Sequence, residues 1–209
     1  MTSPNNLSGP SRAGASPSRG RRRENAILAV ALELVSEVGF DRLSVDAIAA
    51  RARASKETIY SRWRTKDEIV AEALRRQSEG DEPEAPDTGS LRGDLMKVVD
   101  AQCAALGGKG DVSLLSLVEA VRDHAGLRDT VRAHIEHTHA GIGGTVAQRA
   151  TARGELGSGA DVPTCITLAL GQLLFSALLG GSVPGRAERE KLVDQVLLPM
   201  LASQADLRR

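Results

Sequence analysis

Aromatic side chains are almost missing: two Phe, one Tyr and one Trp in 209 residues. Sandwiches and barrels draw on aromatic and β-branched residues for their pleated faces, so this shortage argues against an all-β fold. The core must come from Leu, Val, Ile and Ala, and Leu and Ala are good helix formers. Cysteine is scarce as well. Cys103 and Cys165 offer neither a metal-ligand spacing nor a disulfide framework, and read as buried thiols in a reducing compartment. No stretch reads as a secretory signal or a membrane span. The most apolar segment, Cys165 to Leu179, is short and broken by Thr167, Gly171, Gln172 and Ser176. Also absent are a Gly-rich phosphate loop, a Gly-x-Ser-x-Gly elbow and a His-Glu-x-x-His pair, so the expectation is a protein that is no enzyme and needs no cofactor. An all-α, cytoplasmic chain with no membrane partner is the expectation.

Net charge is also lacking, and here the total conceals a pattern. The first 80 residues carry 14 Lys and Arg against 10 Asp and Glu, while the remainder carries 13 against 17. A basic first part suits a polyanion; an acidic second part does not.

Residues 1–20 hold five Ser, three Pro, three Gly and no acid. They cannot bury enough apolar surface to offset their ordering entropy, and a disordered arm is predicted. It ends in Arg19-Gly20-Arg21-Arg22-Arg23, which either opens a solvated helix or reaches DNA phosphates or a minor groove. Ile27, Val30, Ala31, Leu34, Val35 and Val38 then form one helical stripe. Gly39 stands where a left-handed C-cap belongs. Ser44 caps a second helix that buries Val45, Ile48, Ala49 and Ala52. After a tight break at Arg53-Ala54, Ser55 caps a third helix, about Lys56 to Arg62, which buries Ile59. Thr65-Lys66-Asp67-Glu68 is a capping box opening a fourth helix that runs to about Gln77.

Glu79 to Gly89 is rich in Pro, Gly and acid and reads as a linker. Further helices are expected near Leu91–Leu106, Val112–Val121, Leu127–Thr151, Val162–Leu179 and Arg186–Ala202. The boundaries are therefore an arm over 1–20, a DNA-binding domain over 21–78, a linker over 79–90 and a second domain over 91–203.

Two short helices separated by a tight break, the second capped and polar outside, make a helix-turn-helix. Lys56 can reach phosphate or a guanine edge, and Thr58 phosphate or a thymine methyl. Ser61 is a small donor, and Tyr60 joins an apolar body to a hydroxyl. Lys66 lies in a first helical turn, where backbone N–H groups favour phosphate. Glu57 either accepts from a cytosine amino group or stabilises its helix N-terminus through the dipole, the second being preferred.

The run from Ser44 to Ala52, then Ser55 to Val70 with its Thr-Ile-Tyr, Trp and Lys-Asp-Glu residues, resembles the DNA-binding domain of the TetR (tetracycline-repressor-like) family. That resemblance covers about residues 22–75. It implies a homodimer on double-stranded operator DNA, with the last two helices in a four-helix interface and a ligand cavity in the C-terminal domain. It also implies DNA contacts at Ser44, Lys56, Glu57, Thr58, Tyr60, Ser61 and Lys66. Arg53 departs from the family, which usually has Gly there. The expected function is a ligand-responsive repressor of a pseudo-palindromic operator, released by a small apolar effector. A metal- or redox-responsive regulator, or an activator without a ligand, is the alternative.

In the second part, Arg153-Gly154-Glu155-Leu156 followed by Ala160-Asp161 and an apolar helix also looks like that family. The Val162–Leu179 segment is apolar around most of its circumference, as a helix buried on two sides must be. Leu192, Val193, Val196, Leu197, Met200 and Leu201 form a last stripe. His134 and His137 share a helix face and could hold a metal, but nothing completes the site, and solvated or pocket-lining histidines are the preferred reading. Gly141, Gly143 and Gly144 within that helix are costly, which suggests a kink or room for a ligand, with local fraying as the plain alternative.

Overall fold

The computed structural model describes residues 19–78, 84–107, 117, 118, 120, 121, 124–157 and 159–206. Among them there is no strand, and the fold is all-α. Most of the expected arm, the first residues of the linker and most of the helix expected over Val112–Val121 lie outside the described residues.

Helix α1 (Arg19–Val38) begins earlier than its apolar stripe, so the Arg-rich cluster forms its first turns. Its buried side is wider than expected: Leu28 and Leu32 join Ile27, Ala31, Leu34 and Val35, whereas Val38 stays exposed. Gly39 ends it at φ +81 with its N–H on the Val35 carbonyl. Helix α2 (Val45–Arg51) is capped by the Ser44 hydroxyl, which accepts from Ala47 N at 3.1 Å. Helix α3 (Lys56–Tyr60) is shorter than predicted, because Ser61 and Arg62 already form a turn. Helix α4 (Lys66–Ser78) starts as the capping residues indicate, with Thr65 Oγ1 accepting from Glu68 N. The Glu68 carboxylate reaches back one residue further than a regular box, to Arg64 N at 2.7 Å.

Behind these lie α5 (Leu91–Leu106), α6 (Ala125–Ala152) and α7 (Val162–Gly180). Helix α8 (Arg186–Leu192), a π-helical turn (Val193–Leu197) and α9 (Leu198–Asp206) follow one another without a break. The widened turn has a local cause. Pro199 has no N–H to donate, and its ring would collide with a carbonyl of a regular helix one turn earlier. The sequence stripe ran straight through Pro199 and missed it.

Helix α6 is 28 residues long and crosses all three central glycines, so no fraying occurs there. Gly143 is present for close approach: a Cβ at that position would meet the backbone of Pro163 at 2.7 Å. Gly144 faces open space. One of the three glycines therefore lets α6 and the start of α7 touch, a role different from the expected kink or ligand space.

Two cores result. The first joins α1 to α4 through Ile48, Ile59, Trp63, Ile69 and Leu74, and it extends into Leu117, Ala120, Leu127 and Val131. The second is built by α5, α6, α7 and the last helices around Leu95, Val146, Ile166, Leu173 and Val193. Because α6 serves both, the linker does not separate two independent cores. Buried polar groups pin the second core's edge. Asp94, fully buried, accepts from Thr88 N at 2.7 Å, from its hydroxyl at 2.8 Å and from Arg153 at 3.0 Å.

Helix α7 corrects the expected length. With 19 residues it is long and apolar enough, by length and composition, to cross a membrane. Its Val162, Cys165, Ile166, Ala169, Leu170 and Leu173 are nonetheless buried in the second core.

Candidate nucleic-acid interface

The turn between α2 and α3 is closed by backbone alone. Ala54 N donates to Ala49 O at 3.0 Å and Arg53 N to Ala50 O at 3.4 Å, the paired bonds of a Schellman ending. Such an ending needs a left-handed residue, and Arg53 takes that conformation at φ 49. Arg53 is the only described non-glycine residue at positive φ. Its exposed guanidinium is thereby set beside the turn, where the usual Gly would offer no charge.

Ser55 then caps α3. Its Oγ accepts from Thr58 N at 3.1 Å and lies 2.7 Å from the Thr58 hydroxyl. Ile59 is fully buried and Trp63 nearly so, which fixes the rotation of this short helix. Lys56, Glu57, Tyr60 and Ser61 are consequently exposed on the opposite side, Tyr60 by 52%. Half-buried Thr58 has its hydroxyl engaged with Ser55, and Ser61 Oγ donates to Thr58 O at 2.8 Å, leaving lone pairs on Ser61 to accept. Exposed Ser44 stands at the start of α2, its hydroxyl already used as a cap.

The cations around α3 are held by nearby carboxylates. The Lys56 ammonium lies 2.7 Å from Asp46, Arg51 2.6 Å from Glu37 and Arg62 2.7 Å from Glu24. The Asp46 hydrogen bond and charge push the Lys56 pKa up, so Lys56 is a firm cation. Exposed pairs of this kind are worth little, about 0–1 kcal/mol, so exchanging a carboxylate for a phosphate is cheap.

Lys66 behaves differently from the other expected contacts. Its ammonium donates to the carbonyls of Phe40 at 2.8 Å and Asp41 at 3.0 Å, and sits 4.6 Å from the centre of the Phe40 ring. It ties α4 to the turn after α1. Six of the seven expected residues thus gather on or beside α2 and α3, while Lys66 braces the turn behind them. Sequence reasoning missed this brace because the partners are 25 and 26 residues upstream. It also missed the joint next to it, where His124 Nδ1 lies 2.7 Å from Asp67 and its ring packs edge-on against Phe40. The carboxylates that hold Lys56 and Arg62 went unnoticed as well.

The metal and thiol alternatives find little chemistry. Among the described residues no group of three or more His, Cys, Asp or Glu could hold a metal ion. His134 Nδ1 is 2.8 Å from Ser78 Oγ, and His139 bonds Thr167. Both cysteines are buried, and burial raises the Cys103 thiol and pushes Cys165 up to about 11, so neither is a ready thiolate.

Fold and site together define a two-domain helix-turn-helix DNA-binding regulator. Residues 27–73 match the family described as bacterial regulatory proteins, tetR family, and residues 85–196 match the tetracyclin repressor-like C-terminal domain. An uncharacterised HTH-type transcriptional regulator of Mycobacterium tuberculosis is 39% identical over 88% of this chain and 91% of its own length. A DNA-binding transcriptional repressor TetR of Mycobacteroides abscessus is 34% identical over 88% of this chain and 96% of its own. A tetR-family regulator structure from Streptomyces coelicolor shares the fold at TM-score 0.63 and 22% identity, covering 90% of this chain and 83% of that one. This chain belongs to the TetR family of transcriptional regulators, a family of DNA-binding regulators and not of enzymes.

Proposed function

We propose that the chain is a cytoplasmic, ligand-responsive repressor that binds a pseudo-palindromic operator as a homodimer. One observation carries the reading: α3 is locked by Ile59 and Trp63 so that Lys56, Glu57, Tyr60 and Ser61 form an exposed polar edge beside Arg53. Tyr60, Lys56 and Ser61 meet base edges and phosphates, Thr58 and Ser44 approach the backbone, and Glu57 steadies the helix N-terminus. Lys66 acts through the turn it braces. The repressor sense is supported by the printed name of the Mycobacteroides abscessus relative.

The dimer reading rests on an uncovered apolar face. Leu168, Phe175, Leu178 and Leu179 stand on one side of α7 and are 52–74% exposed, and Val196 beside them is 50% exposed. Monomeric proteins rarely leave such a contiguous patch to water. A twofold mate covers it and sets two copies of α3 about 34 Å apart, one duplex turn. The apolar character of α7 is read as this interface and not as a membrane span.

A mobility-shift assay on DNA flanking the gene, at fixed salt, tests the reading. Specific retardation is expected, weakened about tenfold or more by Lys56→Ala and by Tyr60→Ala. Retention unaffected by both substitutions removes α3 as the reading helix. Sedimentation should give a dimer that Phe175→Lys with Leu179→Lys dissociates.

A further inference from the structure

Gln102 on α5 is the buried polar residue that the fold does not explain. It is 7% exposed, and its Nε2 donates to the Ile166 carbonyl at 3.0 Å and lies 3.3 Å from His139 Nε2. The chain of bonds beyond it fixes every proton. Thr167 Oγ1 donates its one hydrogen to the Pro163 carbonyl at 3.1 Å, so it accepts from His139 Nδ1 at 2.9 Å. His139 therefore carries its proton on Nδ1 and offers a lone pair at Nε2. The Gln102 amide must present N–H there, because the reverse orientation would set oxygen against both a lone pair and a carbonyl. Both N–H groups are then used, and Gln102 Oε1 is left buried with no hydrogen-bond partner. Such an orphan acceptor costs about 1–3 kcal/mol.

Gln102 and His139 line a cleft of about 810 Å³ between α5 and α6. Its apolar wall comes from Val98, Ala101, Ala105 and Ile142, and no aromatic ring contributes. Charged groups belong to the lining as well, but Arg149 is committed to the carbonyls of Ala85 and Pro86 and to Asp87. Burial, helped by the His134 charge, pushes the His139 pKa down to about 4, so the polar wall at Gln102 is neutral in the physiological range. An ionised head group brought against it would lose hydration without gaining a counter-charge.

Resting on the ligand-responsive reading above, we infer that the cleft takes an uncharged, aliphatic effector whose hydroxyl or amide N–H donates to Gln102 Oε1. The acceptor that the fold leaves orphaned becomes the specificity element. A ligand lacking a donor would bury that oxygen again and forfeit the gain.

Three probes of equal chain length separate the alternatives: octan-1-ol, its methyl ether and octanoate. Each is measured on the full-length wild-type chain for thermal stabilisation and for operator release. The alcohol should bind at least about tenfold more tightly than the ether, a gap of about 1.4 kcal/mol. Octanoate should bind more weakly than the alcohol. Gln102→Met, which keeps length and loses the amide, should bring alcohol and ether together. The comparison on unaltered protein stands even if that variant fails to fold. Equal binding of alcohol and ether, tighter binding of octanoate, or no binding by any of the three overturns the inference. Operator release by ether and alcohol alike would keep the ligand-responsive reading while sinking the donor assignment. Selective alcohol binding without operator release would keep the donor assignment and sink the ligand-responsive reading.

Discussion

Lys56 on α3 reaches back 2.7 Å to Asp46 on α2, so the reading helix carries its main cation already neutralised. Both side chains are more than half exposed, and the pair competes with phosphate for the same ammonium. Asp46→Asn should release Lys56 and remove a repelling carboxylate from the DNA face. Tighter, less selective DNA binding is expected. Lys56→Ala should instead lower the slope of log K against log salt by about 0.9 if one phosphate contact is lost. Titrations between low and moderate salt read both effects. An unchanged slope in Lys56→Ala would mean that Lys56 stays with Asp46 in the complex.

Arg53 holds a conformation that glycine adopts without strain. A left-handed non-glycine residue costs about 1–2 kcal/mol. Arg53→Gly should therefore raise the urea midpoint by an amount corresponding to about 1 kcal/mol, while losing an exposed cation beside α3. Stability and operator affinity should move in opposite directions. If both fell, the left-handed turn would not be the source of the cost.

Gly143 and Gly144 are neighbours with opposite expectations. Gly143→Ala puts a methyl group against the Pro163 backbone and should destabilise the fold by about 1–3 kcal/mol, the usual range for overpacking. Gly144→Ala meets nothing within 4 Å and should stabilise α6 by up to about 1 kcal/mol. Chemical denaturation of the two variants side by side checks the claim. Equal effects would show that α6 and α7 do not approach as closely as Pro163 requires.

What sequence could show was local. The caps at Ser44 and Ser55, the Gly39 ending, the span Leu91–Leu106 and the buried Ile59 all follow from residues within one or two turns of each other. The exposed edge of α3 followed from the same short-range pattern. Long-range pairing was invisible. Lys66 has the features of a phosphate ligand until Phe40 and Asp41 are brought beside it, and Gly143 resembles a weak point until Pro163 arrives. The Gln102–His139–Thr167 chain joins three helices whose relative rotation no single stripe encodes. Arg53 was the one local departure noticed in sequence, and its backbone shows how the turn accommodates it.

The histidines that close that chain also set an acid limit on the fold. His139 is held down to about 4 by burial first and by His134 second, and burial, with the neighbouring His137 charge, lowers His134 as well. In an unfolded chain a histidine titrates near 6.5. Between that value and the depressed folded ones the unfolded state binds more protons, so stability is complete above about pH 6.5 and is lost as pH falls toward 4. Each histidine contributes a slope of up to about 1.4 kcal/mol per pH unit in this window. Urea midpoints measured from pH 7.5 to 4.5 should fall steadily below 6.5, and His139→Gln should flatten part of that fall. A midpoint independent of pH across the window would show that neither imidazole is kept neutral by the fold, and the proton assignment that leaves Gln102 Oε1 without a partner would lose its basis.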